Sequence, residues 1–402
     1  MKILFAIPLV YSNSGSFWER DLGLVVVALR KMGVDAWFCA IKGEEPLVGR
    51  PLLTATREEL NDPDWWRLQT PDAIVLNTWS APRYDGIRRA ALSVGCPVIE
   101  KLDTDGVKSP RIYPLHHLRA GWIDYDRRHP FKSAIPRKFF AVAKTFATYL
   151  LPSILDRPMI RCMEGVPLFA AETPLASARV KRFLEMYDAS PMPQVATIPH
   201  PVDVSVMHWD QAKQKSNTIV AVGRWDMAVK GWPLLKRIVR NFLERAPDWK
   251  IVVAGPGAER EGRRIENVYS GRFEILGSLD RSELSRELAK AKIYLLTSHL
   301  ETFNIAGAEA LCCGCSVVGP AQIPSSAYFA GCDSGTVSYL RSPAHIADAL
   351  MAEIAEWDGG HRDPQCIAAF WQERVGAPAV AAQYLRIFKE MRITGEEASS
   401  HP

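Results

Sequence analysis

The chain has 402 residues, 48% hydrophobic and 23% charged, with a net charge of +4 at neutral pH. That length suits two or three domains of roughly 100–200 residues, and the composition supports folded cores and argues against disorder. No apolar run nears the ~18–20 residues of a membrane-spanning helix, and the opening MKILFAIPLV, without a cleavage-site pattern, reads as a first strand and not a signal peptide.

Residues 3–10 predict a strand that runs into the polar loop Ser12-Asn13-Ser14-Gly15-Ser16. Residues 17–32 carry helical spacing, with Leu22, Val25, Val26 and Leu29 on one side and Gly33 as the stop. Strands follow at 34–41, 73–79 and 97–102, with a helix at 83–93; this alternation predicts βαβ units and a parallel sheet. Residues 103–158 break the rhythm, being basic and aromatic-rich, with one helix predicted at 136–151. Between positions 108 and 161, eleven Lys/Arg face three Asp, a local net charge of +8 that leaves −4 on the remainder. The alternation resumes with a strand at 159–163, a helix at 175–187 and a strand at 195–198, then Pro-His-Pro-Val-Asp at 199–203 and a polar linker at 210–217.

A second alternation predicts strands at 218–222, 250–254, 273–276, 293–297 and 316–318, with helices at 233–246, 281–291, 305–313 and 344–357. Residues 364–393 read as all helix, and the remaining tail as disordered. The cluster Cys312-Cys313-Gly314-Cys315 has no second Cys/His pair at metal spacing and reads as small buried residues of a reduced protein. Among the ends of the predicted strands, where open parallel sheets bind ligands, four places stand out. Arg224 and Lys230 flank one strand-to-helix loop, and a guanidinium fork, an ammonium and helix amides suit a diphosphate. Glu301 lies in another such loop, with Glu309 further along the following helix; the carboxylates suit sugar hydroxyls. Ala254-Gly255-Pro256-Gly257 is a tight turn, and the Gly15 loop is the fourth. Neither GxGxxG nor GxxxxGK[ST] occurs, so a dinucleotide fingerprint and a P-loop are absent.

The segments VGRWDMAVKGWPLL, WKIVVAGPGAE, FEILGSLDRSEL and LLTSHLETFNIAGAEALCCGCSVVG together resemble the retaining glycosyltransferases of GT-B fold known as family 4, or glycosyl transferases group 1. IPHPVD resembles the entry to that family's second domain, and AAFWQERVGAPAVAAQYLRIF its closing helices. The resemblance implies an α/β protein with two facing Rossmann-like domains built on parallel sheets. Residues 1–205 would be the acceptor-binding domain and 206–375 the nucleotide-sugar domain; a helix at 376–393 would cross back to the first, before a disordered 394–402.

Carried over by position, Arg224 and Lys230 would hold the donor diphosphate and support its departure. Glu301 would contact the transferred sugar, and Glu309 the ribose. Backbone amides at Phe303, Asn304 and Ile305, beside Thr302, would meet the phosphates, the backbone near Leu279 the base, and Gly15 would let the first loop approach the diphosphate. Two departures stand out: a single Gly15 where the family often has two glycines, and Asn304 where it usually has glycine. A histidine common after the fourth strand is replaced by Asp103 or Asp105, with His116 and His117 as alternatives for facing the acceptor.

The resemblance implies a metal-independent hexosyltransferase, needing no cofactor beyond a nucleoside-diphosphate sugar, with UDP favoured over GDP. The acceptor expected is a glycan or lipid-linked glycan of polysaccharide or cell-envelope synthesis. The basic, aromatic stretch 108–161 is expected to touch a membrane surface peripherally, placing the protein in the cytoplasm or at the inner membrane face. No recognition motif for nucleic acid accompanies the charge. The competing readings are an epimerase or phosphorylase of the same fold, a transferase acting on a small soluble acceptor, and a silent scaffold.

Overall fold

In the computed structural model, which describes residues 1–13, 17–45, 48–128, 134–151, 156–210 and 214–399, the first alternation yields β1 (Lys2–Val10), β2 (Asp35–Ile41), β3 (Leu52–Ala55), β4 (Ala73–Leu76), β5 (Val98–Lys101), β6 (Leu168–Ala171) and β7 (Gln194–Thr197). They form one parallel sheet in the order β3-β2-β1-β4-β5-β6-β7. Ile3, Leu4 and Phe5 of β1 and all of β4 are buried on both faces, which is why these strands read as continuous apolar runs without alternation. The second alternation yields β8 (Ser216–Val222), β9 (Lys250–Ala254), β10 (Phe273–Gly277), β11 (Ala291–Leu295), β12 (Ser316–Pro320) and β13 (Gly335–Ser338). These form a parallel sheet in the order β10-β9-β8-β11-β12-β13.

The chain divides into two compact units, Met1–His117 with Thr145–Asp203 and Val375–Pro402, and Leu118–Lys144 with Val204–Arg374. The stretch 118–144 thus groups with the second unit, although the sequence reading carries the first domain through to 205. The last helix, Ala377–Ser399, belongs to the first unit. Val380, Ala381, Tyr384 and Phe388 share a core with Leu22, Val25 and Leu29 of the helix Asp21–Lys31, and the Phe5 and Tyr384 rings meet edge to face at 5.5 Å. The chain is tied in at that point by Val202, whose N–H donates to the Val375 carbonyl at 2.7 Å and whose carbonyl accepts from Ala377 N–H at 2.8 Å.

Three differences from the sequence reading have physical causes. Residues 159–163 lie in the helix Asp156–Met163, not in a strand. Ile160 and Met163 are buried three apart and Pro158 sits in the first turn, both helix features; the strand is the fully buried 168–171. The helix Pro114–Arg128 is hidden in the sequence because few of its positions are apolar. The final helix runs on to Ser399 where a disordered tail was expected from 394, through the helix formers Glu396, Glu397 and Ala398. Among the described residues no helix is long and apolar enough to cross a membrane.

Candidate functional site

In the second sheet the strand order reverses at β8 and β11, which leave the centre in opposite directions. A crevice opens at the carboxyl ends of strands at such a switch point. The loops 223–231 and 296–304 both emerge there. They are laced together: Thr297 Oγ1 donates to the Lys230 carbonyl at 2.8 Å, and the His299 N–H to the Val229 carbonyl at 2.7 Å. Gly231 makes this approach possible, since its φ is +77° and a Cβ there would lie 2.2 Å from the Thr297 carbonyl oxygen.

The lacing brings Lys230 Nζ to 2.6 Å from Glu301 Oε1, which also accepts from Ser298 Oγ at 2.7 Å. Glu301 Oε2 accepts no hydrogen bond among the described residues. Arg224 is 65% exposed, and its only ion pair among the described residues is a long 3.5 Å approach to Asp226. Asn304 has φ +63°, a left-handed conformation that favours glycine, and it adds what glycine cannot. Its Oδ1 caps the helix Ile305–Cys312 by accepting from Gly307 N–H at 3.3 Å, and it also accepts from Tyr294 Oη at 3.1 Å. Phe303 is buried against Phe329 where the chain enters the first helical turn, whose leading amides have no partner within the helix. Thr302 is half-buried beside it, Glu309 is buried further along the same helix, and Leu279 is half-buried in the loop after β10. The thiols of Cys312, Cys313 and Cys315 are buried and burial pushes all three upward, so they are packing groups; Cys315 Sγ donates to the Leu288 carbonyl at 3.0 Å.

The first unit holds a second constellation, at the ends of three adjacent strands. Lys101 ends β5 and Asp103 follows it, Glu172 follows β6 and His200 comes after β7, while Asp21 opens the first helix. Lys101 Nζ lies 3.1 Å from Asp21 Oδ1 and 3.4 Å from Glu172 Oε1, and 3.3 Å from both ring nitrogens of His200. His200 Nε2 is within hydrogen-bond distance of Asp103 Oδ1 at 3.2 Å, and Nδ1 lies 3.1 Å from Asp21 Oδ1 as an ion-pair approach, so carboxylates on two sides favour an imidazolium. Burial and Lys101 both oppose that charge, but the two carboxylates prevail and raise His200 to about 9. Burial likewise opposes the Asp21 carboxylate, yet Lys101 and His200 hold it at about 2. Asp103, Glu172 and His200 are close enough to share a cation, but the Lys101 ammonium already stands beside Glu172 and His200.

Asp21 and Asp103 line a cavity of about 250 Å³ at the switch point of the first sheet, together with Arg20, Asn77 and Trp79. Four non-glycine residues here have positive φ: Asp21 (+50°), Trp79 (+55°), Ser80 (+52°) and Asp103 (+43°). Such strain persists only where surroundings enforce it, and it gathers at ligand sites. At Trp79 and Ser80 the enforcing group is Glu100, fully buried, which accepts from Thr78 Oγ1 (2.5 Å), Ser80 N–H (2.7 Å) and Arg88 Nε (2.8 Å). The Asn77 amide, 1% exposed, has no partner on either polar atom, a cost of roughly 1–3 kcal/mol that a ligand would relieve. Asp105 faces away into a pair with His116 Nε2 at 2.7 Å, so Asp103 is the aspartate at the cavity. Gly15 lies outside the described residues. The sequence reading missed Asp21, Asn77, Lys101, Glu172 and His200, although all but Asp21 directly follow or end a strand and the strand-end criterion applied to the first half would have found them.

The raised His200 makes stability depend on alkaline pH. Its contribution is complete below about 6.5, the ordinary histidine value, and is lost as pH rises through about 9. Thermal unfolding is expected to show a loss of roughly 1–3 kcal/mol between pH 7 and pH 10. His200→Gln should be less stable at pH 7 and flatter over that window; a wild-type Tm that stays level to pH 10 contradicts the imidazolium assignment.

The sequence model of the family described as Glycosyl transferases group 1 matches residues 216–355. A phosphatidyl-myo-inositol mannosyltransferase of Mycolicibacterium smegmatis is 26% identical over 204 residues, 49% of this chain and 52% of that protein. One of the subunits of the human phosphatidylinositol N-acetylglucosaminyltransferase is 32% identical over 128 residues, 31% of this chain and 26% of that protein. The matched chain thus spans about half the length of the first relative and about a quarter of the second. In fold, the chain is similar to HepE of Anabaena solved with UDP, with a TM-score of 0.62 at 14% identity over 97% of this chain and 100% of that one. OtsA without ligand gives a TM-score of 0.65 at 11% identity, over 97% and 99%. Residues 216–355 thus match the sequence model described as Glycosyl transferases group 1, and the chain, with its two parallel-sheet units, has the GT-B fold of these solved structures.

Proposed function

We propose that the protein is a retaining, metal-independent glycosyltransferase. It moves a hexose-type sugar from a nucleoside-diphosphate sugar, UDP-linked in preference to GDP-linked, to a glycan or lipid-linked glycan acceptor in polysaccharide or cell-envelope synthesis. The observation that carries this reading is the Lys230–Glu301 pair at the switch point of the second sheet, beside an exposed Arg224 and the first amides of the helix Ile305–Cys312. Lys230, Arg224 and those amides are cationic or donor groups aimed where a diphosphate leaving group gains charge, an electrostatic form of catalysis. Glu301 keeps one carboxylate oxygen for a sugar hydroxyl, and Glu309 serves the ribose. In the first unit, Asp103 orients the acceptor hydroxyl at the strained cavity, with His200 and Lys101 fixing its position. The names of similar proteins support UDP and a lipid-linked acceptor, since HepE is solved with UDP-glucose and the curated relatives are named for phosphatidylinositol. Peripheral membrane contact is supported by the exposed Leu115, Phe139, Phe140 and Phe146 on the helices Pro114–Arg128 and Ala134–Leu150. The side chains of the basic residues Arg127, Arg128 and Lys132 in the stretch 108–161 lie outside those the structure describes.

A thermal-shift screen across UDP- and GDP-sugars is the test. A donor at 100 times its dissociation constant should stabilise by about 2.7 kcal/mol, UDP-sugars above GDP-sugars. No shift with any nucleotide sugar contradicts the reading; interconversion of free nucleotide sugars without an acceptor would replace it with an epimerase.

A further inference from the structure

The second unit holds a larger cavity, of about 610 Å³, with two dissimilar walls. Leu118, Trp122, Ile123 and Val142, from the helices Pro114–Arg128 and Ala134–Leu150, form an apolar wall; Arg119, His299 and Arg341 form a polar one. Arg341 Nη1 lies 2.7 Å from His299 Nδ1, and Arg119 Nη2 lies 3.3 Å from the same nitrogen. A guanidinium can only donate, so Nδ1 is the acceptor, the proton sits on Nε2, and the ring is neutral. Burial together with the two arginines holds His299 at about 4, in agreement with that geometry. Two full positive charges therefore share one neutral ring.

Among the described residues neither guanidinium has a carboxylate within 4.0 Å. Arg341 is further anchored by Nη2, which donates to the Thr297 carbonyl at 2.7 Å, while its Nε is buried with no hydrogen-bond partner. Like charges held this close in a partly desolvated site repel, and a buried donor left unpaired is costly; both penalties are relieved by one anion. Arginine forks match phosphate geometry. The rest of the lining is apolar, and the two helices that supply it also carry the exposed Leu115, Phe139 and Phe140. A phosphate alone would leave that wall unused.

We propose that this cavity binds a phosphate-bearing lipid, with the phosphate on Arg119 and Arg341 and the first methylenes of its chains against Leu118, Trp122, Ile123 and Val142. The site is lined by the unit that carries Arg224 and Lys230, whereas the cavity assigned to the acceptor hydroxyl is lined by the other unit. It rests on the proposed function only for the lipid-linked setting, since lipid binding here is measurable without any turnover. Through Arg341 and Thr297 the ligand would stand against the loop that carries Lys230.

The test is calorimetric titration of the full chain with dioctanoyl phosphatidic acid below its micelle threshold. Dioctanoylglycerol (the chains without phosphate) and glycerol 3-phosphate (the phosphate without chains) are run beside it. The expected result is binding of the phosphatidic acid alone, weakened about tenfold or more by Arg119→Gln, about 1.4 kcal/mol, and by Val142→Glu. A parallel UDP titration reports on the donor loop and on folding of each variant, so a lost donor site and a lost lipid site are told apart. Equal affinity for glycerol 3-phosphate and the lipid would make this a soluble-phosphate site and overturn the proposal. So would absence of lipid binding by the wild type, or lipid affinity within twofold of wild type in both variants.

Discussion

Glu301→Gln is expected to lower turnover by about 100-fold or more, close to 3 kcal/mol of barrier, while affinity for UDP changes by no more than about threefold. The side chain is 12% exposed, and Oε1 is engaged by Lys230 and Ser298. Oε2 is the acceptor left for a hydroxyl of the transferred sugar, and the negative charge strengthens that bond as the sugar becomes oxocarbenium-like. Glutamine preserves the shape and removes the charge. UDP lacks the sugar, so its binding should register little. Turnover within about threefold of wild type would remove Glu301 from contact with the sugar.

Lys230→Ala is expected to weaken UDP binding by about 10–100-fold, or roughly 1.5–3 kcal/mol for a charge-assisted contact. The loss should exceed that of Arg224→Ala. Lys230 is 25% exposed against 65% for Arg224, so its field is less screened by water. A second effect adds to the first: without the ammonium, the Glu301 carboxylate is left facing the incoming diphosphate. The double variant Lys230→Ala/Glu301→Gln should therefore bind UDP more tightly than Lys230→Ala alone, a coupling readable from a double-mutant cycle. Additive losses in that cycle would show that the two side chains do not act together on the phosphate.

The second half of the fold is legible because its strands are short apolar runs, three of them (β8, β9 and β10) closed by glycine, and its site residues sit in the loops after them. Arg224, Lys230 and Glu301 lie where strand-end reasoning places them, in the loops after β8 and β11. What the sequence does not reveal is that Gly231, by admitting the Thr297 carbonyl, brings Lys230 onto Glu301. The Asn304 departure becomes intelligible only with φ +63° and its capping bond in view. In the first half the apolar pattern favours a strand at 159–163 over the real one at 168–171, and with that goes the means to notice Glu172. The cluster of Lys101, Glu172 and His200 joins positions 99 residues apart at its extremes, and only the adjacency of β5, β6 and β7 assembles it. Likewise the pairing of Arg119 with Arg341 crosses from the basic stretch to the loop after β13, which no local pattern could show.

The most direct measurement is a crystal structure of the protein with UDP. The account predicts the diphosphate between Arg224, Lys230 and the amides of residues 303–305, with Glu309 on the ribose and the backbone near Leu279 at the base. A diphosphate bound away from Lys230, with the Lys230–Glu301 pair buried beneath and untouched by it, would contradict the claim that the β8–β11 switch point is the donor site.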